Sequence, residues 1–188
     1  CGNLGSNIIV YTVSDPSGNS SQINVSLIVY DTIKPTNKTR NTSVYLDNNG
    51  FAVLSLYDVD NGSFDNCGIV KYSLSRDRFY CYELGKKSVS FTTSDQSGNS
   101  TLNSVDITVL DTIRPIIKTA NKNIYLDKSG QFSIDASYFD VGSYDNCGIK
   151  SRTLSQYNFN CTDVGNKLLL YSITDTSGNS AMSIVNVK

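Results

Sequence analysis

The pentapeptide Asp65-Asn66-Cys67-Gly68-Ile69 recurs 80 residues later as Asp145-Asn146-Cys147-Gly148-Ile149, and much of the chain follows at the same interval. Cys81 returns as Cys161, Asp31-Thr32-Ile33 as Asp111-Thr112-Ile113, and Tyr45-Leu46-Asp47 as Tyr125-Leu126-Asp127. Ser17-Gly18-Asn19-Ser20 occurs again at 97–100 and 177–180. Self-similarity at a fixed period without gaps is the signature of tandem modules, because each copy must close its own core. The expected domains are 1–35, the second half of a module that opens partway through, since Cys1 falls in register with Cys81; 36–115, a complete module; and 116–188, a module lacking its closing linker.

Modules of this size bury a modest core and gain much from a covalent staple. Cys67 and Cys81 are fourteen residues apart, as are Cys147 and Cys161, so local spacing predicts the bridges Cys67–Cys81 and Cys147–Cys161, with the partner of Cys1 outside the chain. Closing loops of that length contributes roughly 3 kcal/mol in the chain-entropy treatment. Paired cysteines imply an oxidising, extracellular or cell-surface setting. A zinc reading has little support, since the chain has no His and no Cys-x-x-Cys.

Alternating apolar residues define the strands. Ile9, Tyr11 and Val13 precede the turn Asp15-Pro16-Ser17-Gly18-Asn19, and Ile23, Val25, Leu27 and Val29 follow it, a hairpin pattern. Val89, Phe91 and Thr93 answer Val105, Ile107 and Val109 in the second copy; Leu169, Tyr171 and Ile173 answer Val185 and Val187 in the third. Val44–Leu46 and Ala52–Leu56 flank Asp47-Asn48-Asn49-Gly50, a second hairpin signal, copied at 124–126 and 132–136. The inward positions of Tyr11 and Tyr171 predict core packing for both rings. No sustained 3.6-residue period appears. The expectation is all-β: Ig-like β-sandwich modules in an exact 80-residue repeat, stacked end to end through the short linkers Asp31–Pro35 and Asp111–Pro115, whose prolines hold the preceding residue extended.

The net charge of −1 offers no basic stripe for nucleic acid, and no apolar run reaches the eighteen residues of a membrane span. Without His, the abundant Ser and Thr have no obvious general base, and the recurrent Asp residues sit in turns that favour them for backbone reasons. The expectation is therefore no enzyme and no catalytic residue. Phe64, recurring as Tyr144, is the one hint of a loop-borne aromatic binding surface.

The combination Asp-Asn-Cys-Gly-Ile, Asp-x-Ser-Gly-Asn-Ser and Asp-Thr-Ile-x-Pro resembles the HYR-like, Ig-fold repeats of giant secreted surface proteins, including gliding-motility adhesins of Bacteroidota exported by the type IX system. That resemblance covers the whole chain and implies a stalk or filament segment of a repetitive extracellular adhesin, with further copies of the repeat as neighbours. Surface glycans or other cell-surface proteins are its implied partners. The alternative is a glycan- or protein-binding accessory module of a secreted enzyme. Asp-Thr-Ile is also similar to an O-glycan acceptor pattern of Bacteroidota, which would place sugars on Thr32 and Thr112; good linker geometry explains the same residues equally well. Asn-x-Ser/Thr at Asn24, Asn37, Asn41 and Asn61 is expected by chance in so Asn- and Ser-rich a chain.

An Ig-like sandwich would bring each linker Asp to the pole that carries the acidic loop and the last hairpin turn. Asp31 is then expected near Asp60 or Asp65 and near Asp95; Asp111 is expected near Asp140 or Asp145 and near Asp175. So many hard oxygen donors suit calcium, against the plain alternative that loop Asp residues are turn formers. Asp58 becomes Tyr138 in the next copy and is not a shared ligand.

Overall fold

The computed structural model describes all 188 residues. Strand accounts for 51% of them and helix for almost none. The chain opens with β1 (Gly5–Ser14) and β2 (Ser20–Val29), paired antiparallel from Gly5 opposite Val29 to Ser14 opposite Ser20. Asp15 closes their turn by accepting from the backbone N–H and the side-chain amide of Asn19 at 2.9 and 2.8 Å. Gly18, at φ +89°, takes the left-handed conformation the turn requires.

Next come β3 (Thr42–Tyr45), β4 (Phe51–Val53), the one-turn α1 (Leu56–Val59), β5 (Ile69–Leu74), β6 (Arg78–Tyr80), β7 (Gly85–Asp95) and β8 (Ser100–Leu110). One sheet has the order β3-β8-β7-β5 and a second, short sheet pairs β4 with β6. The last stretch holds β9 (Gln131–Ser133), β10 (Ile149–Leu154), β11 (Asn158–Asn160), β12 (Lys167–Asp175) and β13 (Ser180–Val187), in a sheet β10-β12-β13 and a short sheet β9-β11. In the last stretch the two sheets share one core, to which β9 and β11 bring Phe132 and Phe159 and β12 and β13 bring Leu169, Tyr171, Ile173, Val185 and Val187.

The turn at 47–50 forms as the sequence indicates, with the Asp47 carboxylate accepting from the Asn49 and Phe51 backbone at 2.9 and 3.0 Å. It is not a hairpin, however. β3 and β4 belong to different sheets, so the turn carries the chain from one sheet to the other. The chain after β4 likewise enters α1, whose capping box explains Asp58: its carboxylate accepts from Ser55 N at 2.9 Å. In the copy, Asp135 caps a 3-10 turn at Ala136–Phe139, which frees position 138 to be Tyr.

Two compact units divide the chain. One comprises 1–42, 55–77 and 88–106; its buried apolar residues are Val59, Val89, Phe91 and Val105. The other comprises 43–54, 78–87 and 107–188. Within it, Phe139, Phe159, Leu169, Tyr171, Ile173 and Val185 form the centre of a single core cluster. Burying side chains of this size stabilises by roughly 2–3 kcal/mol each. The long strands β7 and β8 supply residues to both units.

Tyr171 is buried, as its pattern indicates, whereas Tyr11 is 60% exposed. No second layer covers the β1–β2 hairpin, so its inward face, with Ile9, Val13, Val25 and Leu27, stands open.

Candidate functional site

Strict alternation along β7 turns Val89, Phe91, Thr93 and finally Asp95 to the buried face. Along β12 it does the same with Leu169, Tyr171, Ile173 and Asp175. A carboxylate is thus delivered to the end of each core, Asp95 at 4% and Asp175 at 0% exposure. The Asp-Asn-Cys-Gly-Ile segment brings a second. Ile69 pairs opposite Asp95, and Ile149 opposite Asp175, each next to a bulge that re-aims the strand end. Gly68 (φ +91°) and Gly148 (φ +95°) turn the chain into those strands. The linker brings the third. Asn99 Nδ2 donates to Asp31 O at 3.0 Å and Asn179 Nδ2 to Asp111 O at 3.2 Å, which docks each linker on the hairpin turn.

The result is two carboxylate clusters, Asp31-Asp65-Asp95 and Asp111-Asp145-Asp175, in each of which one oxygen from every residue lies within 4.8 Å of the others. Of the alternatives left open by the sequence, Asp65 and Asp145 join; Asp60 and Asp140 do not. Asp60 instead holds its own loop, accepting from Ser63 N and Ser63 Oγ at 3.0 and 2.6 Å. Asp140 accepts from Gly142 N and Ser143 N and pairs with Arg152. Burial pushes its carboxyl up, but the Ser143 donors, the Arg152 guanidinium and the Gly142 N–H together overcome this and hold it down at about 2.

Neutral groups hold the clusters together. Asn66 Nδ2 donates to Asp31 Oδ1, and Asn146 Nδ2 to Asp111 Oδ1, both at 3.2 Å. Ser177 Oγ donates to Asp111 Oδ2 at 3.0 Å. Cys67 N and Cys147 N cap Asp65 and Asp145 at 2.8 Å. Four oxygens are buried with no donor: Asp31 Oδ2, Asp65 Oδ1, Asp145 Oδ2 and Asn146 Oδ1. Leaving such atoms unpaired costs about 1–3 kcal/mol each. Burial, and after it the charges of Asp111 and Asp175, push the Asp145 carboxyl above its ordinary value. Burial also pushes Asp95 up, but the Asn99 amide, the Asn99 backbone and the turn N–H groups overcome this and hold it below. An all-oxygen donor set with orphaned, mutually repelling carboxylates fits a hard divalent cation.

The cysteines pair differently from the expectation. The bonds are Cys1–Cys67 and Cys81–Cys147, each spanning 66 residues with Cα atoms 5.3 and 5.2 Å apart, and Cys161 is a free, exposed thiol. Neither Cys67–Cys81 nor Cys147–Cys161 forms. The fourteen-residue spacing bridges no closed loop, because β5 and β6, like β10 and β11, are strands of different sheets and carry the chain onward between layers. A loop of 66 residues is worth more, roughly 4 kcal/mol in the chain-entropy treatment. Each bond sits one residue beyond a cluster Asn, so the staple and the carboxylates share one loop.

Thr32 and Thr112 are exposed in the linkers. Two of the Asn-x-Ser/Thr asparagines have structural work: Asn37 Oδ1 accepts from Thr93 Oγ1 at 2.6 Å, and Asn41 Oδ1 from Asp106 N at 3.0 Å. Phe64 and Tyr144 remain half exposed, each with a lysine (Lys38, Lys118) 5.1 Å from its ring centre. Asn66, Asn99, Asn146 and Asn179 are not among the site residues expected from the sequence; their recurrence beside the recurrent Asp residues is the signal it carries for them. No helix is long and apolar enough to cross a membrane.

Fold and site together define a disulfide-stapled, all-β chain with a carboxylate cluster at each linker. No protein-family model matches it. In sequence it is similar to hyalin of Strongylocentrotus purpuratus, 28% identical over 195 residues that cover 98% of the chain and 16% of that hyalin. It is also similar to hyalin of Lytechinus variegatus, 25% identical over 195 residues covering 98% of the chain and 36% of that protein. The chain therefore spans well under half the length of either relative. Among solved structures, extracellular cadherin domains 1–3 of protocadherin gamma C5 overlay with a TM-score of 0.39 at 10% identity, covering 100% of the chain and 78% of that chain. The cadherin-like domains 1 to 4 of zebrafish RET overlay with a TM-score of 0.25 at 11% identity, covering 98% and 58%.

Proposed function

We propose that this chain is a segment of an extracellular, adhesion-type array of β-sandwich modules, in which calcium bound by each Asp cluster fixes linker to module. The observation that carries the reading is the gathering of a linker carboxylate, a loop carboxylate and a strand-end carboxylate in both clusters, with buried oxygens left unpaired. Two disulfides favour an oxidising setting, and the likeness to the hyalins runs along nearly the whole chain. The array acts as a stalk that projects an adhesive tip, with further copies of the module as its neighbours and no chemistry of its own. Attachment or movement of a cell surface is the setting that the motif resemblance implies.

When bound, calcium would supply the positive charge that the three carboxylates lack. Asp31, Asp65 and Asp95 would hold it in one cluster; Asp111, Asp145 and Asp175, with Asn146 Oδ1, in the other. Thermal unfolding in excess calcium and in chelator tests this. Calcium at about a hundred times its dissociation constant should add about 2.7 kcal/mol. Asp145→Asn gives the matching sign. With its pKa raised in the folded chain, ionised Asp145 opposes folding at neutral pH, and metal-free stability should grow as pH falls through the raised value towards 3.8. The variant should therefore be the more stable protein in chelator and should lose much of the calcium response. Equal melting with and without calcium, together with no calorimetric binding, would overturn the calcium reading.

A further inference from the structure

The surroundings of Cys161 reproduce those of Cys81, with one difference. Each cysteine starts a 3-10 turn, Cys81–Glu83 or Cys161–Asp163, directly after a three-residue strand. Its sulfur lies against the carbonyl of a turn glycine, Gly50 O at 3.7 Å and Gly130 O at 3.8 Å. The glycines have matching φ of +72° and +73°, and a Cβ on either would fall 2.6 or 2.7 Å from the cysteine sulfur. Asp47 and Asp127 hold the two turns with the same pair of backbone contacts.

The difference is the occupant. Against Gly50 and Cys81 sits the Asp145–Gly148 loop: Cys147 bonds Cys81, Asn146 Nδ2 donates to Asp47 O at 3.0 Å, and Asn146 O would lie 3.0 Å from a Gly50 Cβ. Around Gly130, by contrast, only Cys161 comes within 4 Å of that position. The frame that receives an Asp-Asn-Cys-Gly loop is therefore built twice, and the second copy presents a free thiol.

We infer that Asp127, Gly130 and Cys161 form an acceptor face for the Asp-Asn-Cys-Gly loop of a further module of this kind, closed by a disulfide from Cys161. The inference rests on the array reading above and adds that each joint is covalent. Glutathione disulfide, or another small disulfide, is the oxidant. The Cys161 thiolate attacks one of its sulfurs and releases one glutathione thiol, giving a mixed disulfide. The incoming cysteine thiolate then displaces the second glutathione, so two thiols are oxidised as one disulfide is reduced.

The test is the full chain extended beyond Lys188 by a second copy of residues 109–188. This puts the copied Asp145–Ile149 loop at the 66-residue separation of both existing bonds. After folding in glutathione buffer, non-reducing peptide maps should link Cys161 to the appended loop cysteine and retain Cys1–Cys67 and Cys81–Cys147. A folded appended module that leaves Cys161 reduced, or bonded elsewhere, overturns the covalent joint while the array reading stands. Formation of the bond in a protein indifferent to calcium overturns the calcium reading and leaves the joint. Should the extension not fold, the chain itself is mixed with a peptide of residues 143–150 in glutathione buffer. Its mixed disulfide with Cys161 should be favoured about tenfold over that of a scrambled peptide, and an Asn146→Leu peptide should lose the advantage. Equal constants for all three peptides overturn the inference.

Discussion

The β1–β2 hairpin and the β12–β13 hairpin carry the same alternation and nearly the same turn, yet one stands open and the other is core. Tyr11 is 60% exposed and Tyr171 is 0% exposed. Backbone pairing does not distinguish them, since β1 and β2 are in register over ten positions and β12 and β13 over eight. What the second hairpin has is a facing layer: Phe159 on β11 and Phe139 in the preceding turn pack against Tyr171 and Leu169 in one cluster. A strand's pattern therefore fixes which face is offered for burial, while burial itself depends on a second layer that the pattern does not mention. A two-stranded hairpin without one is marginal in water.

The sharpest way to break the comparison is to truncate the paired tyrosines. Tyr171→Ala should cost about 3–5 kcal/mol through the cavity it leaves, whereas Tyr11→Ala should barely move the main transition in denaturant unfolding. Equal losses would show that the open hairpin is packed in solution. The disulfides come next. Replacing Cys81 and Cys147 together with Ala should lower stability by roughly 4 kcal/mol. Replacing Cys1 and Cys67 should act locally, read as faster proteolysis within 1–30, because β1 and β2 bury no side chain whose packing could be lost. The smallest expected effect concerns Asp140, in the packed unit. Its carboxyl is held at about 2 against an ordinary 3.8, and it is 10% exposed. Its folded pKa is depressed, so its contribution is present above 3.8 and lost as pH falls through about 2. Asp140→Asn should cost about 2 kcal/mol at neutral pH, and the gap to the parent should close in acid unfolding below pH 3.8. A gap that persists at low pH would assign the loss to packing instead of charge.

Strand faces, and with them the inward placing of Asp95 and Asp175, were legible because they follow from short-range order. Period-2 alternation puts Asp95 and Asp175 on the core side, and the linker Asp residues recur in register with them. The choice of Asp65 over Asp60 was not legible. It depends on Ile69 pairing opposite Asp95, which is a matter of register between strands distant in sequence. The disulfides misled for a related reason. A spacing of fourteen favours local closure only if the intervening chain returns on itself, and here it crosses between sheets. The turn at 47–50 shows the same limit: Asp47 and Gly50 announce a reversal, but nothing local says whether the flanking strands pair with each other or with distant partners.

The register of the two disulfides also governs what the chain can do when pulled. Residues 1–67 and 81–147 are covalently closed loops, so force applied between Cys1 and Cys147 bypasses them through the sulfur atoms. Only the segment from Cys67 to Cys81 lies on the unbridged path, a stretch that even fully extended spans about 50 Å. The strands inside those loops, β1–β4 and β7–β9, are thereby shielded: they can lose their packing without the distance from Cys1 to Cys147 growing, and the short connector sets the limit of that extension.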